Sequence, residues 1–208
     1  MTTLLEAVDP WSPLILKDHF NKLDWSVIKP KCDWLFSQIK ENSYIEKDGG
    51  ASSVTLQDSS DTQPHTWPEF AELQEWISPR INEAISRFRL MEQPYQVSNS
   101  WINKHPTGAW TDEHCHKGCQ LAMAIYLRVP ENSGRIVFKD PLEYHWWGDP
   151  SDVRSEKDGN WYPVNVKEGD VLIFPGWLQH KTEINNSTED RYVLTINLMG
   201  TIPMRFLV

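Results

Sequence analysis

From residue 95 onward the sequence offers strand after strand with no long helix between them. "YQVSNSWINKH" alternates polar and apolar residues; "QLAMAIYLRV", "GRIVFKD", "YPVNVKEGDVLIFP" and "RYVLTINLMG" follow. Turn-forming clusters punctuate them: "PTG", "PENSG", "KEGD" and "NNSTED". Consecutive short strands with tight connections point to an antiparallel sandwich or jelly roll.

The residues before 95 read differently. "SPLILKDHF" is a short strand, and "DWSVIKPKCDWLFSQIKEN" is a helix with Pro30 near its start or at a kink. Residues 46 to 66 form a long loop holding one short strand at most. "WPEFAELQEWISPRINEAISRFRLM" is the strongest helix, with Phe70, Leu73, Ile77, Ile81, Ile85 and Phe88 at three- and four-residue spacing. Pro79 is expected to interrupt it and split it in two. The expectation is an α+β, mainly β chain. Residues 1–208 make one domain, in which 1–94 are a helical support region packed on one face of a jelly-roll core at 95–200.

At 208 residues the chain is long enough for one full core. Its net charge of −9, with no basic face in view, argues against nucleic acid as a partner. Three cysteines (Cys32, Cys115 and Cys119) show no repeating spacing, which argues for a reducing compartment rather than a disulfide framework. The N-terminus lacks a signal-peptide pattern, and no apolar stretch reaches membrane-spanning length. The expected location is the cytoplasm, with no membrane partner. Eleven tryptophans suit a thick β core or an aromatic-lined cavity.

Seven histidines are present. His19 and His65 read as structural or surface residues, and His145 falls in a loop. His114 and His116, in "TDEHCHKGCQ", are different. On an extended chain, residues i and i+2 project to the same side, so two imidazoles meet at a strand entrance and Cys115 points away. His180, in "GDVLIFPGWLQHKTEI", ends an apolar strand where a barrel has its open end. Imidazole suits iron, zinc, copper and nickel alike, so residue type alone does not name a metal. Arg191 opens the last long strand eleven residues after His180. A barrel-interior Arg requires an anion, and a guanidinium fits a carboxylate bidentately.

Taken together, "SWINKHPTGAWTDEHCHKG", "AIYLRVPENSGRIVFKDP" and "VKEGDVLIFPGWLQHKTEINNSTEDRYVLTINL" resemble the iron(II)- and 2-oxoglutarate-dependent oxygenases, and most closely a bacterial and phage group with an HxH…H motif. The resemblance covers residues 95 to 200. It implies a double-stranded β-helix (cupin-like jelly roll) and a dioxygenase that uses Fe(II), 2-oxoglutarate and O2. Such an enzyme hydroxylates an unactivated C–H bond and forms succinate and CO2. Residue by residue, it makes His114, His116 and His180 the metal ligands, with His116 where the superfamily usually has Asp or Glu. Arg191 then pairs the far carboxylate of 2-oxoglutarate, and Asn103 and Tyr126 match positions that often hydrogen-bond the co-substrate. Asp112 is a neighbour that orients a ligand or replaces one. Trp101, Trp110 and Trp177, with Trp146 and Trp147, flank a substrate pocket, and residues 141 to 162 form a lid. No side-chain general acid or base is required. Val193 departs from the hydroxyl that many members carry two residues after the Arg. The implied substrate is a small molecule or a protein side chain.

Three rivals stand beside this reading. A cupin-type zinc isomerase or three-His dioxygenase has no need of Arg191. A zinc knuckle from Cys115, Cys119, His114 and His116 lacks a second matching pair. A barrel acting only as a binding module has no need to retain metal ligands.

Overall fold

The computed structural model describes residues 15–40, 48–141 and 161–201. The expected lid, His145, Trp146 and Trp147 fall largely or wholly outside these residues. The described elements run β1 (Leu16–His19), α1 (Trp25–Ser37), β2 (Ala51–Ser52), three short 3-10 turns (Ser60–Thr62, Pro64–Thr66 and Pro68–Phe70), α2 (Ala71–Arg87), then β3 (Tyr95–His105), β4 (Leu121–Arg128), β5 (Ile136–Lys139), β6 (Trp161–Val164), β7 (Asp170–Pro175), β8 (His180–Thr182) and β9 (Arg191–Gly200).

All strand pairings are antiparallel. A six-stranded sheet has the order β1-β7-β4-β9-β3-β2, and a three-stranded sheet has the order β6-β5-β8. The two form the jelly roll expected from the strand pattern. The "KEGD" turn divides "YPVNVKEGDVLIFP" into two strands, β6 and β7, which lie in different sheets.

The period of two along each central strand assigns its residues to opposite faces. On β9, Tyr192, Leu194, Ile196 and Leu198 join Leu121, Met123, Ile125 and Leu127 of β4 in one buried cluster with α1 and α2. The intervening residues face the three-stranded sheet. There Val193 packs with Ala122, Ala124 and Tyr126 of β4, with Leu172 and Phe174 of β7, and with Phe138 of β5. Register extends this inner face across β3, where His105 lies opposite Arg191, Asn103 opposite Val193 and Trp101 opposite Thr195.

The helices back the outer face. Asp24 caps α1 by accepting from the Ser26 N–H at 2.9 Å, and Ile28, Cys32 and Leu35 are buried along one stripe. Pro79 does not split α2, contrary to expectation. A proline inside a helix removes one backbone hydrogen bond. Here Leu73 and Ile77 before it, and Ala84 and Ile85 after it, are buried in the same core and hold both halves in line. Among the described residues, no helix is long and apolar enough to cross a membrane.

His19 and His65 fill structural roles. His19 Nδ1 lies 3.0 Å from the buried Asp170 carboxylate, and His65 Nδ1 lies 2.7 Å from the Ser100 hydroxyl.

Candidate metal centre

Three imidazoles meet at one end of the inner face. His114 precedes β4, and His180 begins β8. Their backbones clamp one another, with His114 N–H donating to the His180 carbonyl and His180 N–H to the His114 carbonyl, each at 3.0 Å. A reciprocally bonded antiparallel pair projects its side chains to one side, so this clamp brings the two rings together, with centroids 4.3 Å apart. His116 is fixed separately, its N–H donating to the Gly176 carbonyl at 2.7 Å. Only glycine allows that approach: a Cβ at position 176 would meet the carbonyls of Cys119 and His116 at or inside the contact limit.

Every ring has its Nδ1 on an oxygen that can only accept. His114 Nδ1 donates to the Asp112 carbonyl at 2.8 Å, His180 Nδ1 to the Leu178 carbonyl at 2.9 Å, and His116 Nδ1 to Asn197 Oδ1 at 2.6 Å. This fixes the tautomers and leaves all three Nε2 atoms with bare lone pairs. One ligand nitrogen from each ring lies within 4.8 Å of the others, and His116 Nε2 is 3.3 Å from His180 Nε2. Two lone pairs facing at that distance repel unless a cation lies between them. Adjacent ligands on an octahedral ion at about 2.1 Å stand about 3 Å apart, so the donor set fits a divalent transition metal.

Burial keeps the rings neutral. It lowers the His116 pKa to about 4, helped by the neighbouring His114. Burial, with both partner rings, holds His180 well below the ordinary imidazole value, and burial also lowers His114. Metal binding therefore has few protons to displace.

The group of three contains no carboxylate and no thiol. Asp112 contributes its backbone carbonyl to His114, while its own Oδ1 accepts from the Glu113 N–H. Cys115 and Cys119 are free thiols outside the cluster, so the zinc-knuckle pattern does not form.

Arg191 occupies the other end of the inner face, with Val193 and Thr195 between it and Asn197. It is 1% exposed. Its Nη1 donates to the carbonyls of Ser133 (2.7 Å) and Gly134 (2.8 Å), while Nε and Nη2 have no partner. Gly134 permits this seat: at φ +81° a Cβ there would fall 2.6 Å from the Glu183 carbonyl oxygen and 2.8 Å from that of Ile184, so no side chain fits. Burial lowers the Arg191 pKa, but a guanidinium stays charged at neutral pH. Two buried N–H donors of a cation without an acceptor are costly. A small carboxylate supplies what they lack.

Tyr126 and Asn103 both face the same space from β4 and β3. Burial holds the Tyr126 phenol neutral, well above its ordinary pKa. Trp101 stacks on the His116 ring at 5.6 Å, and Trp110 borders an open groove with Asp112, Phe138 and Leu178. Trp177 is 55% exposed and sits on the surface.

The sequence reading did not pick out Asn197, His105 or Gly176. A signal for two of them was present. Asn197 shares the parity of Arg191 on an apolar strand, and His105 shares that of Asn103.

Comparison with known proteins bears directly on this arrangement. Residues 99–197 match a family described as putative 2OG-Fe(II) oxygenase. Over this segment, just under half of the chain, the sequence is similar to the 2OG-Fe(II) oxygenases. The cofactors of such enzymes are iron(II) and 2-oxoglutarate, and the three imidazoles and Arg191 lie inside the matched segment. A search of curated proteins finds no match.

Solved structures share the oxygenase fold at low identity. The non-heme alpha-ketoglutarate-dependent carbocyclase SnoK from nogalamycin biosynthesis aligns with TM-score 0.58 at 16% identity, over 89% of this chain and 79% of its own. HygX from Streptomyces hygroscopicus, with nickel, 2-oxoglutarate and hygromycin B bound, aligns with TM-score 0.59 at 13% identity, over 90% and 83%. AviO1 from Streptomyces viridochromogenes Tue57 aligns with TM-score 0.57 at 15% identity, over 91% of each chain.

Proposed function

We propose that this chain is a 2OG-Fe(II) oxygenase that holds iron(II) on His114, His116 and His180, anchors 2-oxoglutarate by its far carboxylate on Arg191, and hydroxylates an unactivated C–H bond of a small molecule or protein side chain. The observation that carries the reading is Arg191, a buried cation whose Nε and Nη2 find no acceptor in the protein, on the inner face of β9 that also carries Asn197, the partner of His116. A three-His metal barrel without 2-oxoglutarate has no use for it.

When bound, iron(II) with 2-oxoglutarate and O2 supplies the oxidising chemistry, in which the co-substrate ends as succinate and carbon dioxide and one oxygen goes to the substrate. The protein's own part is binding and orientation. The three imidazoles enter neutral and add no charge to the centre, so charge balance rests on the co-substrate dianion and on Arg191. The Nδ1 contacts keep each Nε2 aimed inward. Trp101, Phe174 and Phe138, packed round His116 and His180, keep water from that side of the centre.

The test is anaerobic addition of iron(II) and 2-oxoglutarate, followed by visible spectroscopy. The expected result is a metal-to-ligand charge-transfer band that is lost in His116→Ala and in Arg191→Ala. Subsequent exposure to O2 releases succinate. Absence of the band in the wild-type protein, with both variants indistinguishable from it, overturns the proposal.

A further inference from the structure

A third buried polar atom near Arg191 has no partner. His105, at the end of β3, is 3% exposed and lies in register opposite Arg191. Opposed residues of an antiparallel pair project to the same side, so its ring shares the inner face with the guanidinium. His105 Nε2 is 2.6 Å from the Thr111 hydroxyl, whereas Nδ1 is buried without a partner. Among the described residues, His105 Nδ1, Arg191 Nε and Arg191 Nη2 are the only buried side-chain nitrogens or oxygens in that state. Two adjacent residues thus supply the whole set.

A single ligand resolves all three. A carboxylate is acceptor-only, with two oxygens and about four lone-pair sites. Arg191 brings two N–H donors. His105 completes the set if the Thr111 hydroxyl donates to Nε2, which places the ring proton on Nδ1. The opposite tautomer would leave a lone pair buried beside the anion, which repels it. Val193, the next residue of β9 on this face, has no hydrogen-bonding group and cannot share the task.

We propose that His105 is a second anchor, with Arg191, for the far carboxylate of the 2-oxo acid, donating from Nδ1 with its tautomer set by Thr111. This rests on the 2-oxoglutarate reading above. The ring acts as a neutral donor, because burial and the Arg191 charge lower its pKa to about 3. It is a binding residue that selects a dicarboxylate over a monocarboxylate.

Two substitutions separate the ring nitrogens. Asn places an amide near the Nδ1 position, and Gln places one near Nε2. In the iron(II)-loaded protein under anaerobic conditions, His105→Gln should weaken 2-oxoglutarate binding by about tenfold or more, the loss of one hydrogen bond to a charged group. His105→Asn should stay within about threefold of wild type on the same scale. Neither should change binding of 2-oxopentanoate, which has the same chain without the far carboxylate, nor of iron(II) itself. Equal 2-oxoglutarate binding by wild type and His105→Gln, or equal losses in the two variants, overturns the assignment of His105 alone. Failure of the wild type to bind 2-oxoglutarate overturns both readings.

A measurement on the unmutated protein needs no variant to fold. In the diamagnetic zinc-loaded form, nitrogen NMR of His105 should show Nδ1 protonated, with its proton moving into a hydrogen bond when 2-oxoglutarate is added. A bare Nδ1 in that complex overturns the assignment.

Discussion

Asn197→Leu tests whether His116 binds metal as its surroundings dictate. The Asn197 Oδ1 contact at 2.6 Å is the one that commits the His116 proton to Nδ1, and both residues are buried. Leu removes the acceptor and leaves that N–H unpaired, a penalty of about 1–3 kcal/mol. The ring escapes it by moving the proton to Nε2, which blocks ligation. Either way the penalty falls on metal binding, so affinity should drop about 10- to 100-fold. His114 and His180 keep their own carbonyl partners and their backbone clamp, so binding should weaken rather than vanish. Asn197→Asp is the control. It keeps an acceptor oxygen and makes the ring a better donor to the metal, so its affinity should equal or exceed wild type. The assay is anaerobic competition titration with iron(II), with thermal melts confirming that both variants fold. A folded Leu variant that binds iron(II) within about twofold of wild type, below the cost of one buried unpaired N–H, would refute the reasoning.

Three further outcomes follow from packing and charge. Gly176→Ala should weaken metal binding and lower stability by about 1–3 kcal/mol, because the new Cβ displaces the Cys119 and His116 carbonyls; unchanged metal titration and melting temperature would contradict this. Arg191→Met should abolish 2-oxoglutarate binding, yet melt without ligand within about 2 kcal/mol of wild type, since removing an uncompensated buried charge offsets the loss of its two carbonyl contacts; calorimetry with and without co-substrate checks both halves. Asp170 joins β7 to β1: burial by itself would raise its pKa, but hydrogen bonds from Lys17, the Lys167 N–H and His19 overcome this and hold it below the usual value. Its contribution is therefore full above the unfolded pKa, near 3.9, and is lost as pH falls through the lower folded value; Asp170→Asn should flatten that acid limb in a pH series of urea melts.

Much of the site was legible because strand periodicity is rigid. The parity of His114 and His116, and the position of Arg191 at the head of an apolar strand, are local properties of the chain. The group that resembles the oxygenases was read from the same segments that the family match covers. What escaped were contacts set by sheet register. His105 meets Arg191, and Asn197 meets His116, across 86 and 81 positions of sequence, and no spacing rule announces such pairs. The sequence offers Asp112 as a group that orients a ligand or replaces one; its carbonyl does the orienting, a role any residue could fill. Pro79 was read from local chemistry alone, and tertiary packing overrode it. Trp177 was grouped with pocket residues from proximity in sequence to His180, but its strand-end turn leaves it on the surface.

The triad also straddles the two layers of the fold. His180 belongs to the three-stranded sheet, while His116 is tied through Asn197 and Gly176 to β9 and the end of β7 in the six-stranded one. An ion shared by these rings acts as a rivet through the sandwich. Loading it should slow amide hydrogen exchange in β8 and around residues 114–119, leaving α1 and α2 unaffected, so that the open edge of the barrel tightens only once the protein is charged with metal.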